Sequence, residues 1–66
     1  MIYTAIKEIC KEKNVSVAEI EKKAGLSNGL ISKWNESSPT IENLEAVANA
    51  LGIKVQTILK RRNTEE

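Results

Sequence analysis

The chain has 66 residues, of which 41% are hydrophobic and 29% are charged, a composition typical of one folded domain with a single small core. Ten Lys and Arg residues stand against nine Glu residues, and the net charge of +1 gives the chain no strong bias towards nucleic acid. The absence of His and the single Cys exclude a Ser-His-Asp triad, a Cys-His pair and a His/Cys zinc site, so we expect no enzyme, no metal and no cofactor.

Apolar residues recur at helical spacing along the whole chain, which predicts an all-α fold. The first predicted helix carries Ile2, Ile6 and Ile9 on one face, with charged residues between them. Asn14 can adopt the left-handed conformation that ends such a helix.

The second predicted helix begins at a capping box, in which Ser16 and Glu19 can each accept a hydrogen bond from the other's backbone N–H. Gly25 ends this helix. Ser27 is the next candidate cap, so a third predicted helix starts almost at once and runs to about Glu36, before a break at a proline. Two short helices joined by such a turn form a helix-turn-helix arrangement.

Two further helices are predicted in the second half of the chain. Thr40 caps the fourth, whose apolar face ends at Gly52. The apolar residues between Val55 and Leu59 predict a short fifth helix that frays after Arg62.

The five helices and their short connections leave no linker and no repeat. Residues 1–66 are therefore predicted to form one domain, a five-helix bundle with the helix-turn-helix unit at about residues 16–36. The predicted core consists of Ile6, Ile9, Ile20, Ala24, Ile31, Trp34, Leu44, Val47, Leu51 and Ile58.

Two segments, KKAGLSNGLISKWN and IENLEAVANALGIKVQTIL, carry a more specific signal. With them, residues 1–60 resemble the Cro/phage-repressor helix-turn-helix family (lambda repressor-like, XRE-type). The resemblance implies a lambda repressor-like bundle and a sequence-specific transcriptional regulator, most simply a repressor. It also implies a homodimer that binds a pseudo-palindromic site in double-stranded DNA.

Within that resemblance, the start of the third helix faces the major groove. The candidate base-reading residues are Ser27, Asn28, Gly29 and Lys33. Asn28 can pair with adenine and Lys33 can donate to guanine, whereas Gly29 would let the backbone approach DNA closely. Both Asn28 and Lys33 could equally be solvated surface residues on a small helix.

The candidate phosphate contacts lie on the second predicted helix and at its start, and they are Ser16, Val17, Lys22 and Lys23. Backbone N–H groups at the starts of the second and third helices are further candidate phosphate donors. The chain departs from the family pattern at Val17, where the family usually has Gln, at Glu21, where it favours Ala, and at Glu36, where many relatives have Asn.

The main alternative is a protein-interaction module of the same fold, such as an antitoxin or an anti-repressor partner, for which near-neutral charge is no obstacle. No apolar run approaches the ~18 residues of a membrane helix, and Cys10 has no disulfide partner, so we expect a cytoplasmic protein with no membrane contact. No small-molecule ligand is evident in the sequence.

Overall fold

A computed structural model of the chain describes residues 1–63 and shows four α-helices and one short 3-10 helix. The elements are α1 (Ile2–Glu12), α2 (Val17–Ala24), the 3-10 helix (Ile31–Lys33), α3 (Ile41–Leu51) and α4 (Val55–Asn63). The described residues contain no strand, which confirms the all-α prediction. The predicted domain of residues 1–66 includes three C-terminal residues that lie outside the described part.

Most helix ends lie where the local sequence predicts them. The Ser16 hydroxyl accepts from the Glu19 N–H at 3.0 Å, and the Glu19 carboxylate accepts from the Ser16 N–H at 2.9 Å. Asn14 has a φ of 58°, and Gly25 and Gly52 end α2 and α3 in the left-handed conformation. These ends are local features, because the hydrogen bonds that define them span only a few residues.

The core lies between two helix pairs, in which α1 packs on α4 and α2 packs on α3. Nine of the ten predicted core residues are buried, and the tenth, Ala24, is half-buried. Trp34 is 5% exposed, which confirms its assignment to the core and excludes it as a stacking platform on the surface.

The prediction of a third α-helix from Ser27 to about Glu36 is wrong, and with it the count of five α-helices. Gly29 has a φ of 88°, a left-handed conformation that a right-handed helix cannot contain. The Leu30 N–H donates to the Ser27 carbonyl at 3.1 Å, three residues back, and Leu30 rather than Ser27 precedes the 3-10 helix. The 27–36 segment is thus a turn followed by one short 3-10 helix.

Candidate nucleic-acid interface

The 27–36 segment combines a buried side with an exposed one. Ile31 and Trp34 belong to the buried core, and they hold the segment against the helices. The four residues predicted to read bases, Ser27, Asn28, Gly29 and Lys33, are all exposed. The segment therefore presents these residues to solvent while Ile31 and Trp34 anchor it in the core, although it is not a regular helix.

The structure brings two of the predicted DNA-contacting residues together. Lys22 of α2 and Asn28 line one shallow groove, together with Ala18, Glu21 and Leu26. Lys23, which the sequence treats as equivalent to Lys22, lines a different groove beside α3. Lys22 thus lies beside a predicted base-reading residue, Asn28.

The start of α2 offers backbone rather than side-chain contacts. The Ser16 hydroxyl already accepts from the Glu19 N–H, so what remains for a phosphate is its own O–H donor. Val17 is half-buried and packs against the core. Its contribution to phosphate binding is accordingly limited to its N–H, one of the groups at a helix start that have no partner within the helix.

A buried carboxylate holds the 27–36 segment onto α2. Glu21 is 3% exposed, and its two oxygens accept from the Gly29 N–H and from the Ile31 N–H, each at 3.0 Å. Hydrogen bonds to a charged group contribute about 1.5 to 3 kcal/mol each. These two bonds stabilise the turn that replaces the predicted helix.

The hydrogen bond to Glu21 limits the role that Gly29 can have in DNA binding. The Gly29 N–H donates to Glu21, so this N–H at the predicted start of the third helix is not available to a phosphate. A Cβ at Gly29 would meet no atom within 4 Å, but the φ of 88° strains any L side chain there. A substitution such as Gly29→Glu is thus expected to disturb the turn and not only to block DNA.

Helical spacing predicts that Glu21 is buried, although its charge suggests an exposed position. Glu21 lies four residues after Val17 and three before Ala24, on the face of α2 that packs against the core. A residue at that spacing is on the inner side of the helix whatever its charge. In the sequence, Glu21 stands out only as a departure from the family pattern, which favours Ala at this position.

Asn35 connects the other end of the 27–36 segment to α1. Its Oδ1 atom accepts from the Tyr3 N–H at 3.0 Å and from the Thr4 N–H at 3.3 Å, and its Nδ2 donates to the Thr4 hydroxyl at 3.0 Å. Met1 supplies no side-chain cap. Asn35 therefore caps α1 from a distant part of the chain, a role that no local motif reveals.

The charges around the interface are mixed. Lys22, Lys23 and Lys33 are exposed, and so are Glu19 and Glu36. Glu36 lies one turn after Lys33, and its N–H donates to the Lys33 carbonyl at 3.0 Å. The positive potential that attracts phosphate is thus partly offset within the same surface.

Three further features of residues 1–63 concern metal ligands, helix length and the single thiol. That part of the chain holds no group of three or more His, Cys, Asp or Glu residues arranged to bind a metal ion. None of its helices is long and apolar enough to cross a bilayer. Burial, and secondarily the negative charge of Glu19, raises the pKa of the Cys10 thiol, which keeps it protonated and unreactive at neutral pH.

Comparison with known proteins gives a consistent result. A family model described as Helix-turn-helix matches residues 6–58. The HTH-type transcriptional regulators SinR of Bacillus licheniformis and of Bacillus subtilis (strain 168) are each 33% identical to the chain over 69 aligned positions. These alignments cover 100% of the chain but only 62% of each regulator. No solved structure matches the chain.

Proposed function

The chain belongs to the helix-turn-helix family, and from that membership we propose that it is a sequence-specific double-stranded DNA-binding domain of a transcriptional repressor. Both relatives are named as transcriptional regulators, and neither name describes an enzyme. We accordingly propose no catalytic activity and no cofactor. The proposal includes a lambda repressor-like arrangement of the bundle and a cytoplasmic location.

One observation carries the proposal most directly. Lys22 and Asn28 line the same exposed groove on either side of the tight turn at Gly25. A cation on the first helix beside a polar side chain on the following segment provides one phosphate contact and one base contact at neighbouring points on a duplex. In helix-turn-helix domains the first helix likewise lies across the DNA backbone and the second contacts the bases.

In this proposal the 27–36 segment enters the major groove. Asn28 pairs with adenine, Lys33 donates to guanine and Ser27 donates to a base or to a phosphate. Gly29 keeps the backbone free of a side chain at the contact, although its N–H donates within the protein. Phosphate contacts come from Ser16, Val17, Lys22 and Lys23, with Lys22 the principal one because it lies beside Asn28.

We also propose that the chain binds DNA as a homodimer, because one short reading segment contacts only one half-site. The proposed contact is the surface of α4 between Val55 and Leu59, both of which are half-buried in the isolated chain. They line a groove between α3 and α4 that also contains Ile41, which is 69% exposed. Sedimentation should show a dimer on DNA, whereas a strict monomer both free and bound would refute this part.

The same groove supports the alternative function, a protein-interaction module of this fold. An exposed isoleucine beside half-buried valine and leucine side chains is a surface that a protein partner can cover. The near-neutral charge of the chain also suits a protein partner better than a polyanion.

Salt dependence distinguishes the two functions. The experiment is selection of bound sequences from random duplex DNA, followed by affinity measurement on the selected duplex across a range of salt concentrations. DNA binding releases counterions, so the affinity should fall steeply with added salt. Failure to enrich any duplex, or binding that salt does not weaken, would favour the protein-interaction function.

A further inference from the structure

Glu21 is the only buried charged residue among residues 1–63. A carboxylate removed from water needs strong compensation, and for Glu21 both oxygens are used, one by the Gly29 N–H and one by the Ile31 N–H. Both hydrogen bonds that the described chain gives Glu21 therefore come from the backbone of the 27–36 segment.

The two donors lie on either side of Leu30. A single carboxylate that binds both of them restrains the backbone dihedral angles between them, because each N–H must point at a fixed oxygen. The restrained stretch includes Gly29 in its left-handed conformation. Glu21 thus stabilises the conformation in which the 27–36 segment is a turn rather than a continuous helix.

The turn determines how the exposed residues are arranged. In a continuous α-helix, Gly29 and Lys33 would share a face at a spacing of four residues, but the left-handed conformation of Gly29 removes that relationship. Ser27 and Asn28 precede the restrained stretch, and Lys33 follows it. The relative position of the two groups of predicted base contacts consequently depends on the two hydrogen bonds to Glu21.

We propose that Glu21 is a positioning residue for base reading, which touches no base itself but sets the preferred DNA sequence by fixing the backbone between Asn28 and Lys33. This inference rests on the proposed function. It assigns sequence preference in part to a residue whose side chain is almost completely enclosed by the protein.

Two substitutions separate the position of the carboxylate from its charge. Glu21→Gln keeps the length of the side chain but loses the charge and turns an N–H₂ group towards one of the two donors. Glu21→Asp keeps the charge but is one methylene shorter, so it cannot reach both N–H groups. Glu8→Gln is the matched control, because it removes the same charge from an exposed side chain on α1, whose 3.9 Å surface ion pair with Arg61 contributes little to stability.

The first readout is amide hydrogen exchange at Gly29 and Ile31, measured by NMR without DNA. We expect exchange at one or both positions to accelerate roughly tenfold or more in Glu21→Gln and Glu21→Asp, and to be unchanged in Glu8→Gln. Thermal unfolding and the fluorescence of buried Trp34 report whether each variant is folded. If Glu21→Gln does not fold, Glu21→Asp provides the test.

The second readout is the ratio of affinities for the selected duplex and a scrambled duplex. We expect this ratio to fall roughly tenfold in both Glu21 variants, the scale of one base contact, and to stay unchanged in Glu8→Gln. Loss of a negative charge alone would raise the affinity for both duplexes and leave the ratio constant. A purely structural role would lower the melting temperature and also leave the ratio constant.

An unchanged ratio in folded Glu21→Gln and Glu21→Asp overturns the inference, and so does undiminished protection of the Gly29 and Ile31 amides. The proposed function fails in a different way, since the parent chain would then enrich no duplex at all. If the parent chain binds DNA and both folded Glu21 variants keep its selectivity, the proposed function is retained and Glu21 has no part in base reading.

Discussion

Arg61 near the end of α4 donates two hydrogen bonds to the carboxylate of Glu12 at the end of α1. Its Nη1 lies 2.6 Å from Oε2 and its Nη2 lies 3.0 Å from Oε1. Arg61 thereby joins the first and last helices of the described chain. The two side chains are 49 residues apart in sequence.

This pair predicts a pH dependence of stability. The hydrogen bond from Arg61 lowers the pKa of Glu12 below its ordinary value, so the unfolded chain binds a proton at Glu12 more readily than the folded chain does. The contribution is present above the ordinary glutamate pKa of about 4.3 and is lost as the pH falls through the lower folded value. Thermal unfolding of the parent and of Glu12→Gln across this range should show a weaker acid dependence in the variant. Identical pH profiles would contradict the prediction.

Burial predicts the stability of two variants in α3, one in the core and one on the surface. Leu44 is 5% exposed and Ile41 is 69% exposed, although both begin the same helix. Leu44→Ala should lower the free energy of unfolding by about 2 to 5 kcal/mol because it leaves a cavity, whereas Ile41→Ala should change it by less than about 0.5 kcal/mol. Denaturant unfolding of both variants provides the measurement, and equal losses would show that the core is misassigned.

Asn28 and Lys33 should carry base discrimination. Replacing either residue with Ala should cost roughly 1 to 3 kcal/mol on the selected duplex and flatten the preference at one base position. Affinity measurements on single-base variants of that duplex give the result. Lys11→Ala, an exposed lysine on α1, is the control and should leave the preference intact. Retained preference in Asn28→Ala and Lys33→Ala would argue for the protein-interaction function.

Lys22 and Lys23 should differ, because Lys22 shares a groove with Asn28 whereas Lys23 lines a different groove beside α3. Lys22→Ala should weaken binding to the selected and scrambled duplexes alike. It should also reduce the slope of log affinity against log salt concentration by roughly one unit, as expected when one phosphate contact is lost. Lys23→Ala should have a smaller effect on the slope. The slopes come from affinities measured at several salt concentrations, and a larger effect of Lys23→Ala would reverse the assignment.

Gly29→Ala should destabilise the protein despite the open space around it. The left-handed conformation costs a residue with a Cβ roughly 1 to 2 kcal/mol, and no atom lies within 4 Å to be displaced. Ser32→Ala provides a contrast, since it removes only an exposed hydrogen bond of 2.7 Å to the Gly29 carbonyl. Denaturant unfolding should give the larger loss of unfolding free energy for Gly29→Ala. An unchanged free energy in Gly29→Ala would show that Gly29 is not left-handed in solution.

The sequence by itself determined the features that depend on neighbouring residues. The capping box at Ser16 and Glu19, the left-handed stop at Asn14 and the burial of Trp34 follow from local hydrogen bonding and helical spacing. Two segments of the sequence also resemble the helix-turn-helix family, and a family match over residues 6–58 confirms that resemblance.

Only the tertiary structure decided what happens between Ser27 and Glu36. Local capping and spacing predict a helix there, but Glu21 accepts from the backbone of Gly29 and Ile31, and Asn35 caps the distant start of α1. These bonds join groups from 8 to 32 residues apart, which no local pattern describes. A buried carboxylate requires hydrogen-bond donors, and packing places the backbone of Gly29 and Ile31 against Glu21. These tertiary hydrogen bonds outweigh the helical preference of the segment.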